Sequence, residues 1–462
     1  MKQISAVLDQ LDAALSANFP DMAGLQQFSY TLADQPETDM LEWLNAQSSY
    51  PKLYWQQRDG HEEAALCSDA CAFGNLSAAQ AFLQQYPHLP ELRIWGLNTF
   101  HGADAITAES TESDANALFL PRIEINRRDN EYTLLCNLFS TDSLRDEAQK
   151  MRIFLRSLAN SHPLPALTSD VLRHQHLPAE PQWKQMIHTA LACIEQGQFD
   201  KVVLARKTTL VLRQPLNAAA FLAASRAVNH HCYHFMLAFT AQQAFLGSSP
   251  ERLFLRDNHA LFTEALAGTV AGATDNYKAR ELGQWLLKDA KNQRENMLVV
   301  DDICQRLQGG AHSLDVTSAE ILRLRKVQHL RRSIHAVLIH ADDADCLQRL
   351  QPTAAVAGLP RQEARDFIAQ HEPFNRQWYA GSAGYISLAR SEFAVALRSA
   401  AVNGSQLDLF AGAGIVAGSD AAQEWQEIEN KAAGLRTLLD GNVQSVENVP
   451  SDENYAPAVR AG

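Results

Sequence analysis

Several charged side chains stand at spacings that could do chemistry. Glu424, Glu427 and Lys431 recur at i, i+3 and i+7, so they share one stripe of a helix. Just before them, Ala411-Gly412-Ala413-Gly414-Ile415 reads as a glycine-spaced loop that offers backbone N–H groups to a ligand. Carboxylates beside such a loop, next to a core seam, are the donor set of a hard cation. Lys201 opens an apolar strand and shares a face with Val203 and Ala205. Drawn into low dielectric, it would release its proton more readily and become a base. Glu251 follows Ser248-Ser249-Pro250, and the proline forces a bend that can aim a carboxyl into a cleft. Plainer explanations compete with each of these. The stripe fits the solvated face of an amphipathic helix, Lys201 a strand-end lysine reaching water, and Glu251 a cap or turn carboxylate. Taken alone, the stripe and Lys201 fit those explanations better.

The elements that must hold these residues follow from periodicity. Gln3–Leu15, Ala78–Gln85, Ser143–Ala159, Gln182–Gly197, Ala218–Val228 and Arg361–His371 read as helices, and Asn276–Leu307 as one long helical region. In that region Glu295, Val299 and Asp302 share a face while Leu298 and Ile303 belong to the buried side, which leaves Glu295 near the core boundary. Strands are expected over 51–57, 93–97, 199–212, 233–239, 244–247 and 261–265, with a hairpin of 118–126 and 132–139. Val327–Leu330, which holds His329, ends a strand-like piece. Gly384–Leu388, Glu392–Val402 and Leu407–Phe410 read as a three-strand antiparallel meander turning at Asn403-Gly404, with Tyr379 and Arg398 on or near it. Asp420 is the N-cap of the last helix, with Gln423 as capping-box partner and Trp425, Ile428, Ala432 and Leu435 as core stripe. The proline-rich stretch 161–181 reads as a linker or crossover, and its His174 and His176 as solvated loop residues. The polar, aperiodic tail after Asp440 reads as a disordered extension.

Composition narrows the function classes. A chain of 462 residues predicts about two to three domains. The formal net charge of -13 disfavours nucleic acid and anionic membrane as partners, and an anionic substrate would need a locally positive pocket. No apolar run is long enough for a membrane span, and the N-terminus has the polar interruptions of an amphipathic helix rather than the core of a signal peptide. The seven scattered cysteines fit free thiols in a reducing compartment, so a cytoplasmic protein is expected.

In order along the chain stand KVVLAR, GSSPERL, TEALAGT, QRENMLVV, VQHL, QPTAAVAGLPR, WYAGSAGY, ALRSA, AGAGIVAGS and EWQEIENK. This ordered set resembles the chorismate-utilising enzymes, which include anthranilate synthase component I, aminodeoxychorismate synthase component I, salicylate synthase and isochorismate synthase. The likeness spans about Gln182–Leu438. In the N-terminal half YPKLYWQQRDG and LRIWGLNTF resemble the menaquinone-pathway isochorismate synthases in particular.

The resemblance implies an α/β fold of the α+β type, with large antiparallel β-sheets wrapped by helices. It implies an N-terminal α/β half over 1–175, interlocked with a chorismate-binding catalytic region over 176–440, and a tail over 441–462. The implied reaction adds water to chorismate at C2 and expels the C4 hydroxyl, giving isochorismate as the first committed step of menaquinone synthesis. Lys201 matches the base that activates water, and Glu251 the acid that protonates the departing hydroxyl. Glu295 and Glu427 match Mg2+ ligands. Tyr379, Arg398, Gly412 and Gly414 match the grip on the enolpyruvyl carboxylate; Lys431 adds positive charge, and Thr269 and His329 line the site. Glu424 stays open between a water-mediated metal contact and plain first-turn charge. Lys201 favours water over ammonia as nucleophile, so no amidotransferase subunit is expected. Ala355, where salicylate synthases typically carry threonine, favours stopping at isochorismate. Salicylate synthesis and a siderophore-pathway isochorismate synthase are the alternatives.

Overall fold

The computed structural model describes residues 2–32, 39–101, 117–167 and 170–439; the tail over 441–462 lies outside the described residues. Among the described residues twenty strands form one hydrogen-bonded network that divides into two arms, and every pairing among them is antiparallel. The first arm runs Gly24–Leu32, Glu131–Ser140, Ala117–Arg128, Glu62–Phe73, Lys52–Gln56, Tyr233–Ala238, Gln243–Ser249, Ser399–Asn403, Gln406–Val416, Lys201–Leu212 and Val171–Leu177. The short strand Gly358–Leu359 also joins Lys201–Leu212. The second arm leaves Ala117–Arg128 through Ile94–Asn98, Ser382–Ile386, Arg390–Val395, Arg252–Asp257, Ala260–Ala271 and Val327–Leu338, with Ala311–Val316 and Glu320–Arg323 on the last strand.

Side-chain alternation gives the first arm two buried faces. Leu53, Trp55 and Phe235 join Ile94, Phe254 and Phe393 of the second arm in one apolar cluster. Their neighbours Tyr54, Met236 and Leu246 point the other way, into a second cluster under the helices Lys2–Ala14, Met40–Ala46, Leu144–Ser157 and Ala218–Val228. Two short segments cross directly from one arm to the other. Gln243–Ser249 belongs to the first arm and Arg252–Asp257 to the second; Arg390–Val395 belongs to the second and Ser399–Asn403 to the first. The crossings lie side by side, since the Val395 N–H donates to the Glu251 carbonyl at 3.0 Å. Pro250-Glu251 occupies one of them and Leu397-Arg398 the other.

Several expectations change at this level. Glu392–Val402 is not one strand of a meander: it breaks at Ala396–Arg398, where Arg398 takes a φ of 47° as the chain changes arms. The glycine run 411–415 is not a loop but the continuation of Gln406–Val416, because Lys201–Leu212 supplies a partner through to Val416. Asn276–Leu307 is two helices, Asn276–Leu286 and Ala290–Leu307. The second is restarted by Asp289, whose carboxylate accepts the Asn292 N–H at 2.9 Å. In that helix Ile303 is buried as expected, but Val299 is fully buried too and Leu298 only half-buried, so the deep face takes in part of the face expected to carry Glu295. His329 sits in a strand that runs on to Leu338. The proline-rich stretch holds an edge strand, Val171–Leu177, so His174 and His176 are strand residues; His176 Nδ1 lies 3.0 Å from Thr208 Oγ1. The boundary expected at 175/176 falls inside this strand.

Candidate active site

The floor of the site is the pairing of Lys201–Leu212 with Gln406–Val416. Its register sets Gly412 opposite Ala205, Gly414 opposite Val203 and Val416 opposite Lys201, so all six present one face. The Val203 N–H is taken by the Ala357 carbonyl at 2.8 Å. Val203 and Gly414 are therefore a non-hydrogen-bonded pair, and the N–H of Gly414, like that of Gly412 two residues away, points off the free side of the strand. The donors expected of a loop are thus supplied by a half-paired strand edge. The glycines also make room. A Cβ on Gly414 would lie 2.6 Å from Glu295 Oε1 and 3.1 Å from Lys201 Cε, and one on Gly412 would lie 2.9 Å from the Tyr379 hydroxyl.

Lys201 is fully buried, with Nζ 3.1 Å from Glu295 Oε1. This contact is within ion-pair distance but is not aligned as a hydrogen bond, so Nζ has hydrogen-bonding capacity to spare. Glu295 comes from the helix Ala290–Leu307, which two buried asparagines fasten to the second arm. Asn296 Nδ2 reaches the carbonyls of Ala265, Ala267 and Leu330 at 3.2, 3.1 and 3.1 Å. Asn292 Oδ1 accepts the Thr269 N–H at 3.0 Å. Gly268, with a φ of +84°, makes the bulge that brings Thr269 opposite His329.

Thr269, His329 and Arg398 form a chain. Thr269 Oγ1 is 3.0 Å from His329 Nδ1, and Arg398 Nη2 is 2.9 Å from His329 Nε2. A guanidinium can only donate, so Nε2 accepts and the imidazole is neutral with its proton on Nδ1. Burial, then the charges of Arg398 and Lys431, hold the His329 pKa well below its usual value. Tyr379 stacks on Phe410, ring centroids 5.2 Å apart; burial pushes its hydroxyl up to about 12, so it stays a donor. Burial, and next the charge of Glu264, push Glu251 up to about 8, against the opposing pull of Lys201, Lys431 and Arg398. Glu251 is therefore mostly protonated at neutral pH.

The helix Ala421–Arg436 closes the site. Asp420 caps it, accepting the N–H groups of Ala422 and Gln423 at 3.1 and 3.0 Å. Ile428, Ala432 and Leu435 are buried as expected. Lys431 Nζ is 2.6 Å from Glu427 Oε1 and 2.9 Å from the Gly412 carbonyl. Glu424 is buried too, paired with Lys291 at 3.4 Å. Burial first, then the charge of Glu427, with a smaller push from Glu295, raise it to about 7.

These residues surround one cleft. Glu251, Thr269, Glu295, His329, Tyr379, Arg398, Gly412, Gly414, Glu427 and Lys431 all line it, with Ala355 among its apolar wall. Lys201 does not; it lies directly behind Glu295, and Glu424 stands outside the lining as well. Arg58 and Glu264, passed over in the sequence, lie beneath Glu251 as a buried pair with atoms 2.6 Å apart.

A family model described as chorismate binding enzyme matches residues 21–440. The chain belongs to this family. Among chorismate-binding enzymes it is 52% identical over 439 residues, 95% of this chain and 99% of the other, to the isochorismate synthase MenF of Escherichia coli. It is 40% identical over 407 residues to the isochorismate synthase MenF of Haemophilus influenzae, covering 87% of this chain and 90% of that one. The solved structure of the menaquinone-specific isochorismate synthase MenF from Escherichia coli superposes with a TM-score of 0.90, covering 95% of this chain and all of that one. The expected fold, a large antiparallel sheet wrapped by helices, is the fold of this chorismate-binding enzyme.

Proposed function

We propose that this enzyme converts chorismate to isochorismate by adding water at C2 and expelling the C4 hydroxyl, in the service of menaquinone synthesis. The observation that carries the mechanism is one cleft that holds a carboxyl still protonated near neutral pH, Glu251, with a buried lysine, Lys201, behind its wall. Lys201 takes a proton from the attacking water, and Glu251 gives one to the departing hydroxyl, so one water enters and one leaves. Tyr379, Arg398 and the free N–H groups of Gly412 and Gly414 bind the enolpyruvyl carboxylate. The His329 relay fixes the Arg398 fork against Thr269. The likeness to MenF enzymes over almost the whole chain supports the product and the pathway.

The donor set fits Mg2+. Among the described residues no three His, Cys, Asp or Glu side chains form a ready ligating cluster. A magnesium site that keeps waters needs only two carboxylates and a substrate oxygen. Glu295 and Glu427 would hold the ion, and their charges add to burial in lifting Glu424, a sign of excess negative charge there. When bound, Mg2+ supplies the positive charge that clamps the ring carboxylate.

Incubating the protein with chorismate and Mg2+, with and without ammonium, should give isochorismate in both cases and none after chelation. Anthranilate would mean an ammonia-using enzyme, salicylate a pyruvate-eliminating one, and no turnover would remove the assignment. A cytoplasmic setting suits its seven cysteines, all free thiols.

A further inference from the structure

The proposed chemistry needs the Glu251 carboxyl in one place and protonated. Its own turn does little to secure either, since its N–H reaches only Ser249 Oγ, at 3.3 Å. The residue is bracketed from elsewhere. Arg58, in the turn between Lys52–Gln56 and Glu62–Phe73, donates from Nη1 to the Pro250 carbonyl at 3.0 Å and to Glu264 Oε1 at 2.6 Å. Its Nη2 donates to Glu264 Oε2 at 2.9 Å, and Glu264 Oε1 also accepts the Arg252 N–H at 2.8 Å. The Pro250 carbonyl belongs to the peptide group before Glu251, and the Arg252 N–H to the one after. Two planar peptide groups held in this way leave Glu251 little freedom in φ or ψ. Arg252 is turned aside as well: its Nε donates to the Tyr233 hydroxyl at 2.9 Å, beside a Glu392 that also takes Gln57 Nε2 at 2.8 Å.

The same pair shapes the field. Lys431 and Arg398 face Glu251 with positive charge, and each favours loss of its proton, as does Lys201 whenever it is not in the neutral form a base requires. Glu427 and Glu295 line the same cleft. Glu264 opposes these cations. Burial works against a charge on Glu264. Arg58 opposite, its hydrogen bonds and the Arg252 N–H overcome burial, and hold Glu264 below the usual carboxylate range. It is therefore a fixed negative charge.

We propose that Arg58 and Glu264 are positioning residues for the Glu251 acid: the pair clamps both peptide groups around it and sets a fixed carboxylate beside it against the facing cations Lys431 and Arg398. The proposal rests on reading Glu251 as the proton donor. It gives the N-terminal part of the chain, through Arg58, a part in positioning the acid.

The test is the pH profile of kcat and kcat/KM for isochorismate formation by the full chain with Mg2+, in wild type, Glu264→Gln and Glu264→Asp. Gln removes the charge, so the alkaline limb should move down by about one pH unit, roughly a tenfold extra loss well above that limb. Asp keeps the charge, so its limb should stay with the wild type's even if kcat falls. A Glu264→Gln limb that coincides with the wild type's, or an Asp limb that moves as far as the Gln limb, overturns the proposal. Wild type that makes no isochorismate would refute the function instead. Should Glu264→Gln fail to fold, Arg58→Lys decides: one ammonium cannot bridge both carboxylate oxygens and the Pro250 carbonyl. In that variant kcat should fall about tenfold with KM within roughly twofold; an unchanged kcat overturns the clamp.

Discussion

An acid that must hand a proton to a leaving hydroxyl works only while it still carries one. Glu251 is lifted to about 8 by burial and by Glu264, so its protonated fraction is high at neutral pH and drops as pH rises through that value. Turnover should therefore fall roughly tenfold per unit above about 8. Glu251→Gln keeps the shape and cannot supply the proton. We expect kcat to fall by about 10²–10⁴ with chorismate binding retained, and the alkaline limb to vanish from what activity remains. Initial rates across pH, with binding by calorimetry, check this; a variant with wild-type kcat removes Glu251 from the mechanism. At this scale the sequence was readable where chemistry and local geometry coincide, as at the proline bend before Glu251 and the alternation around Lys201. It was silent on Arg58 and Glu264. A turn arginine and a strand glutamate 206 positions apart become a pair only through packing.

Helix ends and cores were legible because their signals are local. Asp420 caps where expected, and Arg361–His371 forms over the expected span. The glycine run misled because glycine usually marks turns, whereas here it marks the close approach of side chains to a strand. The break at Arg398 was hidden because no glycine or proline marks it: Glu392–Val402 holds neither, and only the presence of two separate arms makes the segment switch partners. Two glycine substitutions separate these roles. On Gly414 a Cβ meets the Glu295 carboxylate and the Lys201 stem, ends of side chains that can shift. Gly414→Ala should fold with Tm within a few degrees of wild type and lose about tenfold or more in kcat, because a displacement of about 1 Å at a reacting group is enough. On Gly96 a Cβ would lie 1.8 Å from the Ala117 carbonyl oxygen, which belongs to a paired strand and cannot move aside. Gly96→Ala should destabilise by about 3 kcal/mol or more. Thermal melts and turnover on both proteins test the distinction; equal stability losses would contradict it.

Over the whole molecule the length prior of two to three domains fails to describe how the chain is put together. Lys52–Gln56 pairs with Tyr233–Ala238, and Ile94–Asn98 with Ser382–Ile386, five residue pairs each, so N-terminal strands sit inside the sheet that carries the site. Their aromatic residues are central to the core. Trp55 and Trp95 are fully buried, with rings 6.4 Å apart, and Trp95 packs 4.6 Å from Tyr385 of the catalytic region. Losing either tryptophan would cost about 3–5 kcal/mol, and a typical domain has only about 5–15 kcal/mol in all. A fragment beginning at residue 176 would lack both tryptophans, would expose two strand edges in mid-sheet and would lose the Arg58 clamp under Glu251. Such edges pair with other chains. The fragment 176–462 should therefore aggregate, or stay expanded with no cooperative melt and no near-UV circular dichroism, and should not turn over chorismate. Residues 1–160 supplied on a second chain should rescue part of the fold, because the contacts to be restored are strand pairings and packing rather than a covalent link. A fragment that melts cooperatively on its own would show that the two parts are separable after all.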